Sequence, residues 1–258
     1  MSESYLFKYK PFLLLLIYSG VYPVSFHQNR LRCSNNQYRY CIVFIILVIG
    51  LTSYTFYQVV SLNWDFIISN IFPFSGQVQT FLITITYVGA SFTNLAKCET
   101  HVRLLNGLQD IEIDLKTILK VDQIDRKDNF ENTLKFDVCM ISVYFLLELT
   151  SGLMSPRRFW FEKVLMYCVI FITITFGLIV LHIKHCVLIW NNRFDIVCQS
   201  LNDELKALGK VNIHRIEHLL EFIECLSNLK ANLNNSFGFV LLMNSVFDFI
   251  AFAKNDSA

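Results

Sequence analysis

Three stretches of the chain carry no Asp, Glu, Lys or Arg: Tyr40–Trp64, Phe66–Ala96 and Val164–Ile183. A membrane-crossing helix needs roughly 20 mostly apolar residues, and each stretch meets that length. They predict spans over about residues 40–60, 74–94 and 164–185. Two shorter apolar runs predict further spans. Residues 136–154 are interrupted by one carboxylate, Glu148, and residues 237–253 carry Asp248 near the short limit. The expected fold class is an all-α membrane protein, a multi-span helical bundle with five transmembrane helices. No repeat or linker divides it, so residues 1–258 form one transmembrane domain.

The polar stretches between the spans are periodic as well. Leu104, Leu108, Ile111, Leu115 and Ile118 recur at steps of three and four, the mark of an amphipathic helix over about 100–130. Residues 191–230 repeat the pattern twice. Phe194, Val197, Leu201, Leu205 and Leu208 form one stripe closed by Gly209, and Ile213, Ile216, Leu220, Ile223, Leu226 and Leu229 form another, with Asn212 placed to cap it. These segments are too polar to insert and are expected as long cytosolic extensions of the spans. At the amino end, Phe12–Tyr18 is too short to cross, and no small-residue cleavage pattern follows it. An interfacial or half-inserted helix stopping at Pro23 is expected there.

Lys and Arg set the orientation. Seventeen lie in residues 1–39, 97–135 and 191–236, against four on the opposite face, with Lys184 at a membrane edge. The amino terminus is therefore expected inside. That polarity is the reverse of a G-protein-coupled receptor, and the chain lacks both an Asp-Arg-Tyr and an Asn-Pro-x-x-Tyr motif. Composition agrees with a lipid setting: 54% of residues are hydrophobic, with 24 Phe. A net charge of +1 gives nucleic-acid binding no support. None of the eight cysteines forms a Cys-x-x-Cys pair, and all are expected as reduced thiols.

Several dispersed segments carry a resemblance. They are Pro11–Pro23, the Arg193-Phe194 pair with Leu201-Asn202-Asp203-Glu204-Leu205, and Leu233–Phe247. In order, spacing and polarity the chain resembles the insect gustatory receptors, within the seven-helix insect chemoreceptor superfamily. The resemblance implies a tetrameric ligand-gated cation channel in the plasma membrane of sensory neurons, opened by a tastant or contact pheromone. It also implies homo- or hetero-oligomers with other gustatory receptors. The family's Thr-Tyr and Gln-Phe motif lies in a seventh, pore-lining helix, whereas this sequence stops at Ala258 after the fifth expected span. A chain truncated before helices six and seven is expected, as a fragment, a short isoform or a decayed gene product. The alternative function is then a non-conducting subunit that modulates assembly of full-length receptors.

Candidate ligand-binding residues are Glu148, Tyr144, Phe145, Tyr87 and Tyr167. A carboxylate within a span is costly and faces protein or water. Glu148 reads either as a polar contact in an outer ligand cavity or as a structural group bonded to a neighbouring helix or Arg157. Tyr87, Tyr144, Tyr167, Trp64 and Trp160 read as aromatics at or near the outer face, serving as interfacial-belt or core residues or as ligand contacts. Asp248 reads as an interfacial group or a partner of Lys254. Leu201, Leu205, Leu220 and Leu226 are the oligomerisation candidates, on stripes expected to join subunits.

His214-Arg-Ile-Glu-His218 fits an inverted zincin pattern, but no third ligand or catalytic domain accompanies it. It reads as the solvated face of a helix. The sequons at Asn234 and Asn255 are expected to stay unused, one cytosolic and one crowding the membrane. No enzyme activity, no cofactor and no metal are expected. The expected partners are the lipid bilayer, a small-molecule ligand and other receptor subunits.

Overall fold

The computed structural model describes the backbone of residues 5–69, 71–119, 130–154, 160–206 and 213–255. Its elements in order are α1 (Tyr5–Tyr18), β1 (Val24–His27), β2 (Arg30–Cys33), α2 (Asn35–Ser69), α3 (Ile71–Ala96), α4 (Cys98–Leu119), α5 (Phe130–Met154), α6 (Trp160–Lys206) and α7 (Ile213–Asn255). The side chains of Glu148, Asp248, Trp64 and Trp160 lie outside what is described, as do Arg157, Gly209 and Asn212 altogether.

Helix α1 packs one face on α4 and α6, while Pro11, Leu15 and Tyr18 on its other side are exposed. Leu6, Tyr9, Phe12, Leu13, Leu16 and Ile17 are all buried in the main core. The end of α1 is a Schellman turn: Val21 N donates to Leu16 O and Gly20 N to Ile17 O. Gly20 takes the required left-handed conformation, φ +74°, and a Cβ there would meet Phe44 Cγ at 2.8 Å.

A hairpin follows that the helical periodicity did not anticipate. β1 and β2 pair antiparallel from Val24 with Cys33 to His27 with Arg30. Gln28 and Asn29 both have positive φ, as a two-residue type I′ turn demands. Two strands cannot bury a face alone, and α4 supplies the support. Asn106 accepts from Leu31 N and donates to Leu31 O, both at 3.0 Å, in place of a third strand. One turn on, Asp110 accepts from Arg30 at 2.7 Å. At the start of α4, Cys98 is disulfide-bonded to Cys33, with Cα atoms 6.1 Å apart. This corrects the expectation that every cysteine is a free thiol. The pair is 65 residues apart in sequence, so only the folded hairpin reveals it.

The five remaining helices of the bundle, α2, α3, α5, α6 and α7, pack as neighbours, α2 with α3 and α6, α5 with α6, and α6 with α7. The two stripes of residues 191–230 are not separate helices. One is the end of the 47-residue α6 and the other the beginning of the 43-residue α7. Likewise the amphipathic segment expected over 100–130 is described as α4, ending at Leu119. Among the described residues, Asn35–Tyr54 and Tyr167–Lys206 lie in helices long and apolar enough to cross a membrane. Ile42, Val43 and Ile46 on α2, with Phe136, Met140, Val143, Leu146 and Leu147 on α5, face outward. Apolar surface at that density suits hydrocarbon and not water. The protein is a helical membrane protein with one small hairpin.

Candidate functional site

A cavity of about 290 Å³ opens between α2 and α6. Phe44, Leu47, Val48 and Leu51 line one wall, at the i, i+3, i+4, i+7 spacing that puts four side chains on one helix face. Tyr167, Cys168, Phe171 and Ile172 line the other. Phe44 and Phe171 meet across it with ring centroids 5.4 Å apart. Its lining side chains are hydrocarbon except for the Tyr167 hydroxyl and the Cys168 thiol. Such a space accepts a small apolar molecule and offers little to a charged or sugar-like one. Through Phe44, which packs on Gly20, this wall also touches the end of α1.

A second feature lies where α1 enters the bundle, and no sequence motif announced it. Tyr9 of α1 shares a 2.7 Å hydrogen bond with Nδ1 of His182 on α6. Cys186 Sγ sits 3.8 Å from the other ring nitrogen of His182. Tyr22 packs edge-on to His182 and tilted against His101, with centroids at 4.9 and 5.3 Å. His185 and Lys184 both approach Asp137 of α5, at 3.3 and 2.8 Å. Nearby, buried Glu112 of α4 lies 2.7 Å from Lys116 and 3.7 Å from buried Arg193 of α6. Lys97 reaches the Asn235 side chain on α7 at 2.7 Å, and also its backbone oxygen.

His101 shows what this environment does. Burial, with the charge of Lys97 adding to it, pushes its imidazole down to about 3, so the ring is neutral throughout the physiological range. A neutral, ring-packed histidine is a structural group. The cluster holds α1 in place, and among the described residues no set of three or more His, Cys, Asp or Glu is arranged to take a metal ion.

Residues 9–253 match the family model of the 7tm chemosensory receptors. The chain belongs to this family. The match runs through every helix of the receptor from α1 to α7. No curated protein and no solved structure matches it. Family membership makes this protein a chemoreceptor for small molecules.

The receptor separates the residues singled out from sequence. Tyr167 lines the cavity. Tyr144 and Phe145 lie on α5 and are exposed, away from the cavity lining. Glu148 belongs to α5 by its backbone, and its side chain is outside the description. Tyr87 takes the core alternative. It lies late in α3, fully buried, and its hydroxyl donates to Ser19 O at 3.3 Å beside the end of α1. Leu226 belongs to the chain's own core, and Leu201 is packed against it. Leu205 and Leu220 face outward. The cavity residues of α2 escaped notice because Leu, Val and Phe in a span look alike whether they face lipid or a neighbour.

Proposed function

We propose that this chemoreceptor is a gustatory receptor subunit, a tastant or contact-pheromone detector of the ligand-gated cation channel type, in the plasma membrane of sensory neurons. The observation that carries the reading is the apolar α2–α6 cavity holding Tyr167, at a volume near the low end for small-molecule sites. The ligand it favours is a compact, mostly hydrocarbon molecule with one hydrogen-bonding group to meet the Tyr167 hydroxyl. Five spans with the amino terminus inside fit the Lys and Arg asymmetry. In that orientation Leu205 and Leu220, exposed on α6 and α7, remain available to a neighbouring subunit.

Ligand acts by binding one arrangement of the bundle better than another. Filling the cavity props α2 away from α6, and Phe44 passes the displacement to Gly20 and the end of α1. The test is calcium entry in insect cells co-expressing this chain with full-length receptors that carry the pore helix, scored against a panel of small apolar and polar tastants and against those receptors alone. Apolar members should evoke entry, Cys168→Trp should abolish it by filling the space, and Cys168→Ala should preserve it. Surface labelling controls for expression of each variant. Silence across the panel, or an unchanged response in Cys168→Trp, overturns the reading.

A further inference from the structure

The first turns of α7 carry a feature that chemoreception does not use. His214 and His218 lie four residues apart, so their rings sit side by side along one helix face, tilted at 52° with centroids 4.6 Å apart. Both are open to solvent, with side chains 80% and 44% exposed. Each ring also has a carboxylate one turn further on. His214 Nδ1 is 3.5 Å from Glu217 Oε2, and His218 Nδ1 is 3.2 Å from Glu221 Oε2. A carboxylate at Nδ1 keeps the proton of a neutral imidazole on that nitrogen, which leaves the Nε2 lone pair for a ligand. Metal-bound histidines are oriented by the same second contact.

We infer that His214 and His218 form a surface chelate for one divalent transition-metal ion of the imidazole-preferring class, Cu²⁺ before Zn²⁺. Both ligands are Nε2 atoms, water completes the coordination, and Glu217 and Glu221 act from behind the rings. Imidazole is a good donor for zinc, copper and nickel, and copper(II) tops the affinity order for a given nitrogen site. The two carboxylates add negative potential that favours a cation. The one basic group between the histidines, Arg215, is turned onto Glu204 at the end of α6, 2.6 Å away. Of the other four histidines, His101, His182 and His185 are buried, and His27 stands on the hairpin. Glu217, the acidic residue of the His-x-x-Glu-His pattern, lies against His214 Nδ1. A bound ion would clip the first turns of α7 beside its ion pair to α6.

The test uses the tag-free full chain in detergent micelles, titrated with Cu²⁺ alone and then Zn²⁺ alone. One Cu²⁺ per chain is expected, with an electron paramagnetic resonance signal split by two imidazole nitrogens. His214→Gln and His218→Gln should each weaken binding tenfold or more, and the double variant should lose the two-nitrogen signal. Glu217→Gln with Glu221→Gln should weaken it by roughly tenfold, the usual scale for outer-shell groups. His27→Gln should change nothing. Affinity should fall in acid, because the ligand is the neutral imidazole. Circular dichroism checks that each variant keeps its helices. Equal affinity in wild type and double variant, or a signal without two nitrogens, overturns the inference.

Discussion

Tyr9 and His182 stand 173 residues apart in sequence and share a buried hydrogen bond of 2.7 Å. That bond ties the amino-terminal helix to α6, and the aromatic stack of Tyr9, Phe12 and His182 surrounds it. Tyr9→Phe keeps the ring and removes only the hydroxyl, leaving a buried imidazole nitrogen short of a partner. A cost of about 1–3 kcal/mol is expected for that group. Thermal unfolding in detergent should show a drop of a few degrees for Tyr9→Phe and none for Tyr18→Phe, whose ring is 70% exposed. Equal melting of the two variants would remove the bond from the stability of the bundle.

The histidine environment makes stability depend on pH in a stated direction. His101 is held neutral, its folded-state value lowered to about 3, while an unfolded histidine titrates near 6.5. The unfolded chain therefore binds the extra proton first, and the contribution is fully present above pH 6.5 and shrinks as pH falls below it. Each unit of fall costs up to about 1.4 kcal/mol at this site. Melting temperature should decrease from pH 7 to pH 5. His101→Phe, which keeps ring contacts with Tyr22 and Phe237, should flatten that decrease.

Cys33 and Cys98 should appear as a linked peptide in non-reducing mass spectrometry, with Cys41, Cys139, Cys168, Cys186, Cys198 and Cys225 recovered as free thiols. Reduction should raise amide exchange in the hairpin near Leu31, more so in Asn106→Ala, which also removes the side chain bridging that strand. A chain with eight free thiols would return the hairpin to Asn106 and Asp110 alone.

Gly20→Ala meets two obstacles at once, a left-handed backbone and the Phe44 ring at 2.8 Å. A loss of 1 kcal/mol or more is expected, above the scale of an unstrained substitution. Because Phe44 also lines the α2–α6 cavity, the variant should change the rate at which an apolar maleimide modifies Cys168. An unaltered rate would uncouple α1 from the cavity.

Leu220 and Leu226 separate assembly from folding. Leu226 is fully buried and Leu220 is 52% exposed. Leu226→Lys should abolish the folded protein, since burying an unpaired ammonium is prohibitive. Leu220→Lys should fold normally and lose oligomers in native gels. Retained oligomers in Leu220→Lys would take that leucine out of subunit contact.

The helices were legible wherever one local rule governed them. α2, α3, α5, α6 and α7 run through the apolar stretches, and among the described residues two of them, α2 and α6, are long and apolar enough to cross a membrane. The stripe from Leu104 to Leu115 is a periodic pattern of the same local kind, and its residues are buried on α4. The hairpin was not legible. Gln28 and Asn29 are a weak turn signal, and β2 depends on Asn106, 75 residues away. Of the cavity lining, Tyr167 stands out in the sequence as an aromatic near an expected membrane face. Phe44, Leu47 and Val48 do not, since nothing in an apolar run marks which side faces a neighbour.

By itself, then, the amino-acid sequence determined the solvent this protein lives in, where its helices lie and which family it resembles, since these follow from runs and periods of nearby residues. Tertiary structure alone decided that one face of α1 is buried in the core, that Cys33 meets Cys98, that Tyr87 reaches Ser19 and that a cavity opens between α2 and α6. Each of those joins residues far apart along the chain, and only packing of whole helices in three dimensions brings them within a bond's reach.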